Sequence, residues 1–349
     1  MTEAPDETAI ARPRFGATEP PLPWQRASLA SLLARRAQWP HAMLFTGPVG
    51  IGKRLLAHAL ARALLCEAPA ADRSACGDCA SCRYAAAGQH PDLRMIEPVE
   101  IDDDEVKPVE WIAVDRIRAL IHWAGITSHR GRAKVALIVP AERMNEAAAN
   151  ALLKTLEEPP ADTHFMLVSH LPGRLPATIA SRCQRVVAPR PTPAQARSWL
   201  AGEGVADPDA ALAQAHYAPL RALALVDPDY QAERRVWIRA FAAPAQLDVA
   251  GLGARIDAAP RELRKERLAA VVDWLSGWCV DLAHVHAGST AIENIPFEPA
   301  LRELARSVAP LALFRYHRQL SRQRALLAHP LAPRLVAEAL MIDYRALFG

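Results

Sequence analysis

Gly47-Pro-Val-Gly-Ile-Gly-Lys-Arg54 is the stretch of sequence that decides the fold. It matches the phosphate-binding loop pattern G-x-x-x-x-G-K, but its last position carries Arg54 where the pattern has the serine or threonine that holds magnesium. The apolar run Ala42–Thr46 predicts a buried strand before the loop, and residues 54–66 predict a helix after it. Glycines let the backbone N–H groups surround phosphate oxygens, and a lysine adds positive charge. The candidate nucleotide-binding residues are Gly47, Gly50, Gly52, Lys53 and Arg54.

The chain also lacks the carboxylates that an ATPase places at the end of a neighbouring strand. Residues 134–139 predict that strand, and Val139-Pro140 stands where Asp and Glu would hold magnesium and orient water. Glu142 comes two positions late. Because phosphoryl transfer depends on metal positioning and charge stabilisation, the two losses together predict no magnesium-dependent hydrolysis. The sequence leaves open whether ATP still binds or whether the loop only maintains the fold.

Four of the six cysteines lie within 17 positions, with the spacing C-x9-C-x2-C-x2-C. Four thiolates complete a tetrahedron, and a closed four-cysteine site has no coordination position left for catalysis. We therefore predict structural zinc. An iron–sulfur cluster is the minor alternative, and a redox C-x-x-C pair would explain only two of the four residues. The predicted ligands are Cys66, Cys76, Cys79 and Cys82.

The order of predicted elements divides the chain into domains. Strands and helices alternate from residue 42 to residue 187, which predicts a three-layer parallel α/β domain. Within it, residues 145–158 predict a helix with its N-cap at Asn145 and its end at Pro159-Pro160, and Thr163–Ser169 predicts a strand. The acidic run 102–105 predicts a solvated loop. Prolines at 189, 191 and 193 mark a boundary, beyond which the pattern is almost entirely helical. The prediction is a loose tail at 1–22, a P-loop domain at 23–189 that contains the cysteine module 66–82, a small helical lid at 190–231, and an all-helical domain at 232–349.

Bulk properties exclude several classes of function. The 349 residues are 51% hydrophobic and 23% charged, and the net charge of +3 is too small for a general nucleic-acid footprint. We see no run of about 18 apolar residues, so we expect no membrane span. The N-terminal residues are acidic and lack the apolar core of a secretory signal, so the expected location is the cytoplasm.

Further motifs resemble those of a known family. Together with the phosphate loop and the cysteine module, they resemble the AAA+ clamp-loader family, including subunits of the bacterial DNA polymerase III clamp loader. The resemblance is strong from residue 23 to about residue 187 and only compositional beyond it. The additional motifs are His41-Ala42, His90-Pro91-Asp92, Ala149-Asn-Ala-Leu-Leu-Lys-Thr-Leu-Glu-Glu-Pro-Pro160 and Ser181-Arg182-Cys183.

The resemblance implies partners and roles for individual residues. The chain would join motor subunits and a delta subunit in a hetero-pentameric ring that loads a sliding clamp onto primed DNA, with residues 232–349 as its collar domain. Arg182 would act in trans, as an arginine finger on a neighbouring subunit's ATP. Arg221 stands where motor subunits carry a second phosphate-sensing arginine, and we favour a structural ion pair there over a residual nucleotide contact. His170 replaces a small polar residue that senses the γ-phosphate.

These features favour an accessory subunit that is not by itself an enzyme. Its own ATPase site would be degenerate, and it would support clamp loading during DNA replication. The alternative is an active AAA+ ATPase of the motor type that uses the loop at 47–54. A second alternative is a zinc-dependent nucleic-acid-binding module, against which the small net charge argues.

Overall fold

The computed structural model describes residues 21–102, 105–326 and 332–349. The predicted tail at 1–22 lies outside these residues as far as residue 20. The chain divides between Trp199 and Leu200 into two compact units. The separation of a lid at 190–231 from a collar at 232–349 stays a prediction.

The first unit contains a five-stranded parallel sheet in the order β2-β5-β6-β1-β7. The central strands are apolar on both faces, as parallel strands covered by helices require. Ala42 pairs with Phe165, and Thr46 pairs with Ser169, so β1 and β6 end side by side. The strands of this unit are β1 (Ala42–Thr46), β2 (Leu93–Ile96), β3 (Val99–Asp102), β4 (Glu105–Pro108), β5 (Lys134–Ile138), β6 (Thr163–Ser169) and β7 (Gln184–Val187).

Two apolar cores cover the two faces of this sheet. Successive residues of a strand point to opposite faces, so Leu44 belongs to one core and Phe45 belongs to the other. Leu60 on α2 packs in the core of Phe45, whereas Leu120 on α4 and Leu152 on α5 pack in the core of Leu44. The helices of this unit are α1 (Arg26–Ala34), α2 (Lys53–Leu65), α3 (Ala80–Ala86), α4 (Val114–Gly125), α5 (Glu146–Glu157) and α6 (Ala177–Ala180). The predicted three-layer α/β architecture is thereby confirmed.

The structure agrees with the prediction from sequence at the start of α5 and differs from it at residues 99–108. Helix α5 begins after Asn145, whose side-chain oxygen accepts a hydrogen bond of 2.8 Å from the Ala148 N–H, as the N-cap prediction requires. Strands β3 and β4 form an antiparallel hairpin in which Asp102 pairs with Glu105. The sequence predicts a loop for the acidic run 102–105, of which residues 103 and 104 lie outside the described residues, and it does not predict the two strands that flank it.

The second unit is helical throughout its described residues. Its core is built around aromatic side chains: the Trp278 indole N–H donates to the Tyr344 hydroxyl at 2.8 Å, and that hydroxyl donates to the Phe241 carbonyl at 2.7 Å. Buried polar tips are thus paired while the rings fill the core. The helices are α7 (Pro193–Gly202), which crosses the division, α8 (Pro208–Gln214), α9 (Pro219–Leu225), α10 (Pro228–Phe241), α11 (Val249–Asp257), α12 (Arg264–His286), α13 (Glu298–Ser307), α14 (Pro310–Leu326) and α15 (Pro333–Arg345).

Helix α12 qualifies as a membrane span by length and composition alone, with a mean hydropathy of 1.3 over its most apolar 18-residue window. Half of that window is buried inside the protein. Leu275 and Trp278 of this helix lie fully buried in the aromatic core. The apolar character of α12 is therefore explained by its central place in the helical unit.

Candidate functional site

The phosphate loop joins the end of β1 to the start of α2, as the sequence predicted. Gly52 adopts a φ of +90° at the N-cap of α2, a conformation that favours glycine. A Cβ at this position would lie 2.4 Å from Leu22 Cδ1, so any other residue would also have to displace that side chain. Gly47 and Gly50 also have positive φ values. All three glycines of the loop therefore adopt backbone conformations that favour glycine, as expected for a phosphate-binding loop.

Lys53 is occupied by the loop's own backbone. Its Nζ donates to the carbonyl oxygens of Gly47 at 2.7 Å and Pro48 at 2.5 Å, and only 2% of the residue is exposed. Burial lowers the pKa of the amine to about 8, against the opposing effect of the Glu142 carboxylate. The ammonium group has three N–H donors, so these two hydrogen bonds leave one donor for a phosphate.

Arg54, which replaces the expected hydroxyl, forms an ion pair with Glu97. The distance from Arg54 Nη1 to Glu97 Oε1 is 3.1 Å, and about a third of each side chain is exposed. Glu97 directly follows β2, so this pair spans the start of α2 and the end of an edge strand. Sequence spacing gave no signal for the pair, because it depends on the order of strands in the sheet.

Polar groups gather where β5 and β6 end, next to Lys53. Glu142 Oε1 accepts hydrogen bonds from the backbone N–H groups of His170 at 2.9 Å and Leu171 at 3.1 Å. Burial first, and then the charge of Lys53, lower the pKa of His170 to about 4, so its imidazole is neutral at pH 7. Within the described residues, three buried atoms of this cluster have no hydrogen-bond partner: Glu142 Oε2, His170 Nδ1 and Ser169 Oγ.

The segment before α1 lies against the phosphate loop. The Trp24 indole N–H donates to the Ile51 carbonyl at 3.0 Å, and Gln25 Nε2 donates to the Gly52 carbonyl at 2.7 Å. Gln25 is completely buried. The predicted features of the sequence did not include these two contacts, which fix the loop from its outer side.

The four predicted metal ligands come together. The sulfur of Cys66 lies 3.9 Å from that of Cys79, and the sulfur of Cys76 lies 3.9 Å from that of Cys82. All four sulfur atoms lie within 4.8 Å of one another. A tetrahedral zinc site with bonds of about 2.3 Å needs sulfur atoms about 3.8 Å apart. The donor set and its geometry therefore fit zinc.

Backbone N–H groups donate to two of these sulfur atoms, although burial raises the pKa of Cys66 and of Cys82. The N–H of Cys76 donates to Cys66 Sγ at 3.3 Å, and the N–H of Cys79 donates to Cys76 Sγ at 3.3 Å. Although burial acts in the opposite direction, hydrogen bonds from neighbouring backbone N–H groups and thiols lower the pKa of Cys79 to about 6. A thiolate is the form of cysteine that binds metals.

Arg182 lies at the surface, just after the short helix α6. Its Nε donates to Glu157 Oε1 at 2.7 Å, and its Nη1 donates to the Thr178 carbonyl at 2.9 Å. About a third of the side chain remains exposed. The guanidinium is thus oriented by two contacts and still accessible from outside.

Arg221 lies on α9 in the second unit, whereas Gly47–Arg54 belongs to the first. Its positive charge adds to burial in lowering the pKa of His216. Arg221 therefore acts electrostatically on ionisable groups of the helical unit.

Comparisons with known proteins show the family to which the chain belongs. A family model described as "DNA polymerase III, delta subunit" matches residues 27–191. The chain is 50% identical over 179 residues to the DNA polymerase III subunit delta′ of Pseudomonas aeruginosa, an alignment that spans about half of each protein, 51% and 52%. It is 33% identical over 298 residues to the subunit delta′ of Escherichia coli, covering 83% of this chain and 84% of that protein.

A related subunit of another name also matches. The chain is 41% identical over 143 residues to the DNA polymerase III subunit tau of Salmonella typhimurium, covering 41% of this chain and 21% of that protein. The match to the Escherichia coli delta′ subunit extends well past the α/β unit, into the helical unit. The chain belongs to the family of DNA polymerase III delta′ subunits.

Proposed function

We propose that this chain is a non-hydrolysing subunit of a DNA polymerase III clamp loader. In this proposal it joins motor subunits and a delta subunit in a hetero-pentameric ring in the cytoplasm. The ring opens a sliding clamp and loads it onto primed DNA. This chain supplies Arg182 to the ATP of a neighbouring subunit, and it hydrolyses no ATP itself.

The position of Arg182 is the observation that carries the proposal. A guanidinium that acts on a neighbour's ATP has to be exposed, and it has to be held in one orientation before the neighbour arrives. Arg182 meets both conditions, since Glu157 and the Thr178 carbonyl orient it and about a third of it is exposed. It would stabilise negative charge on the γ-phosphate as that charge develops during transfer.

The candidate nucleotide site supports the proposal that this chain hydrolyses no ATP. The Lys53 amine already donates to two carbonyls of its own loop. Arg54 replaces the hydroxyl that would hold magnesium, and it is paired with Glu97. A nucleotide entering here would meet an engaged lysine and no hydroxyl ligand for the metal, so we expect no turnover.

The four cysteines would hold structural zinc. A zinc ion bound by four thiolates supplies folding energy and no chemistry, because its coordination is complete. Their place at the end of α2, away from the phosphate loop at its start, supports this structural role.

Reconstitution tests the proposal. We expect a ring assembled without this chain to load no clamp, and addition of the purified chain to restore loading. The chain alone should hydrolyse no ATP above background. Restored loading by the Arg182→Ala variant at the wild-type rate would contradict the role of Arg182. Loading by the ring without this chain would contradict the proposal as a whole.

An active motor-type ATPase is the second candidate, and Glu142 favours it. Its carboxylate reaches the vicinity of Lys53 despite its late position, and Oε2 has no hydrogen-bond partner among the described residues. A carboxylate oxygen in that position could bind magnesium. Magnesium-dependent hydrolysis by the isolated chain, lost in both Lys53→Ala and Glu142→Gln, would establish this candidate.

A further inference from the structure

Arg130 joins the cysteine module to a loop of the sheet. It lies in the loop 127–132, between α4 and β5. Its Nε donates to Glu67 Oε1 at 2.6 Å and to Ser81 Oγ at 3.1 Å, and its guanidinium lies 5.4 Å from the ring centre of Tyr84. Glu67 and Ser81 belong to the module, next to Cys66 and Cys82, and Tyr84 lies just after it on α3.

His90 extends this contact into the interior. Its Nδ1 accepts a hydrogen bond of 3.0 Å from the Asp92 N–H, so this nitrogen carries no proton and the ring proton lies on Nε2. Burial acts in the same direction, because it lowers the pKa of His90. Nε2 lies 3.1 Å from Ser81 Oγ and donates to it. The Ser81 hydroxyl can then donate to Glu67 Oε1 at 3.0 Å. In this series of hydrogen bonds, from Asp92 through His90 and Ser81 to Glu67, each proton has one acceptor.

Asp92 fixes the backbone of the same loop. Its carboxylate accepts hydrogen bonds from the N–H of His129 at 2.8 Å and the N–H of Arg130 at 3.0 Å. Asp92 is completely buried. The loop 127–132 is therefore held twice, by Asp92 through its backbone and by the cysteine module through Arg130.

We expect a bound metal to keep these partners in position. Helix α3 has only 7 residues, too few to be stable alone in water. Cys79 is the N-cap residue of α3 and Cys82 lies within the helix, so a metal bound by both would fix the helix and, with it, Ser81. Without a metal, no single group would bind all four sulfur atoms.

We propose that Glu67, Ser81 and Arg130 couple metal binding by the four cysteines to the position of the loop 127–132. The cysteine module, with its metal bound, holds this loop in position, and the loop in turn strengthens metal binding by the module. Because such coupling is reciprocal, loss of the metal should destabilise the loop, and disruption of the loop should weaken metal binding. The inference goes beyond the proposed clamp-loader function, and it rests on the proposed metal site.

Amide hydrogen exchange on the full chain tests the first direction of the coupling. With zinc bound, the amides of His129 and Arg130 should be protected by Asp92. Removal of zinc with a chelator should speed their exchange by about tenfold or more. The amide of Phe165, which donates to the His41 carbonyl at 2.7 Å beside the central strands, serves as the internal control. Unchanged exchange at 129 and 130 after zinc removal overturns the inference.

Zinc competition with a chromogenic chelator tests the reverse direction. Arg130→Ala should weaken zinc binding by about tenfold, the effect typical of residues that support metal ligands. The matched control is Arg118→Ala, which removes an exposed arginine paired with Asp115 on α4. Equal zinc affinity in Arg130→Ala and wild type overturns the coupling alone. Absence of zinc binding by the wild type overturns the metal site as well. Neither result bears on ATP turnover by the ring.

Discussion

Glu157 Oε1 accepts a hydrogen bond of 2.7 Å from Arg182 Nε. The two residues come from the two motifs that most resemble clamp loaders, one at 149–160 and the other at 181–183. Glu157 is the last residue of α5, and Arg182 follows α6. Glu157 of the first motif therefore holds the side chain of Arg182, from the second motif, in its orientation.

Replacement of Glu157 tests this task. Glu157→Gln keeps one oxygen acceptor but loses the charge, so Arg182 should be held less firmly, and ATP turnover by the reconstituted ring should fall by less than about tenfold. Arg182→Ala should lower turnover at the neighbouring site by about 10³-fold or more. Glu158→Gln, the adjacent glutamate, is the control and should match the wild type. Equal activity of Glu157→Gln and wild type would show that the contact positions nothing.

The depressed pKa of Lys53 predicts a dependence of stability on pH. The amine titrates at about 8 when folded, against 10.5 ordinarily. Between pH 8 and pH 10.5, Lys53 is protonated in the unfolded chain and largely deprotonated in the folded chain, so the free energy of unfolding rises with pH. Below about pH 8, Lys53 is protonated in both states, and its contribution to stability no longer changes with pH. Wild type should therefore gain about 2 kcal/mol relative to Lys53→Met between about pH 7.5 and 9.5. Urea unfolding of both proteins measures this, and a constant difference would contradict the prediction.

The cysteine geometry predicts one zinc ion per chain. Elemental analysis of protein purified without added metal should find zinc and no iron. Cys79→Ser should lose the metal, because one of four ligands is gone, whereas Cys279→Ser, a buried cysteine of the helical unit, should retain it. Iron in place of zinc would instead support the cluster alternative.

The cap of α5 predicts a modest effect on stability. Asn145→Ala removes the acceptor of the Ala148 N–H and should lower the free energy of unfolding by about 1 kcal/mol. Asn150→Ala, at an exposed position inside the same helix, should be neutral or slightly stabilising. Thermal or urea unfolding of the two variants distinguishes them, and equal stability would show that the cap contributes nothing.

Much of the α/β unit was predictable because its signals are local. The apolar runs gave β1 and β6 at their observed bounds, Ala42–Thr46 and Thr163–Ser169. Asn145 and the two prolines after Glu158 gave the limits of α5 to within a residue. The cysteine spacing predicted that four sulfur atoms would meet, and they do.

The partners of the site residues could not be predicted in the same way. Glu97, Glu142 and Glu157 lie far in sequence from the groups that they hold. Strand order and helix packing bring them together, and neither is written in a local pattern. The late position of Glu142 led us to discount it, but a short helical turn after β5 returns its carboxylate to the end of β6.

ATP turnover by the reconstituted ring, with clamp and primed DNA present, tests the central claim most directly. Three rings would be compared, which differ only in this chain: wild type, Lys53→Ala and Arg182→Ala. We predict that Arg182→Ala sharply lowers turnover and that Lys53→Ala leaves it unchanged. A sharp loss with Lys53→Ala and none with Arg182→Ala would contradict the account, because the loop at 47–54 would then be the working site.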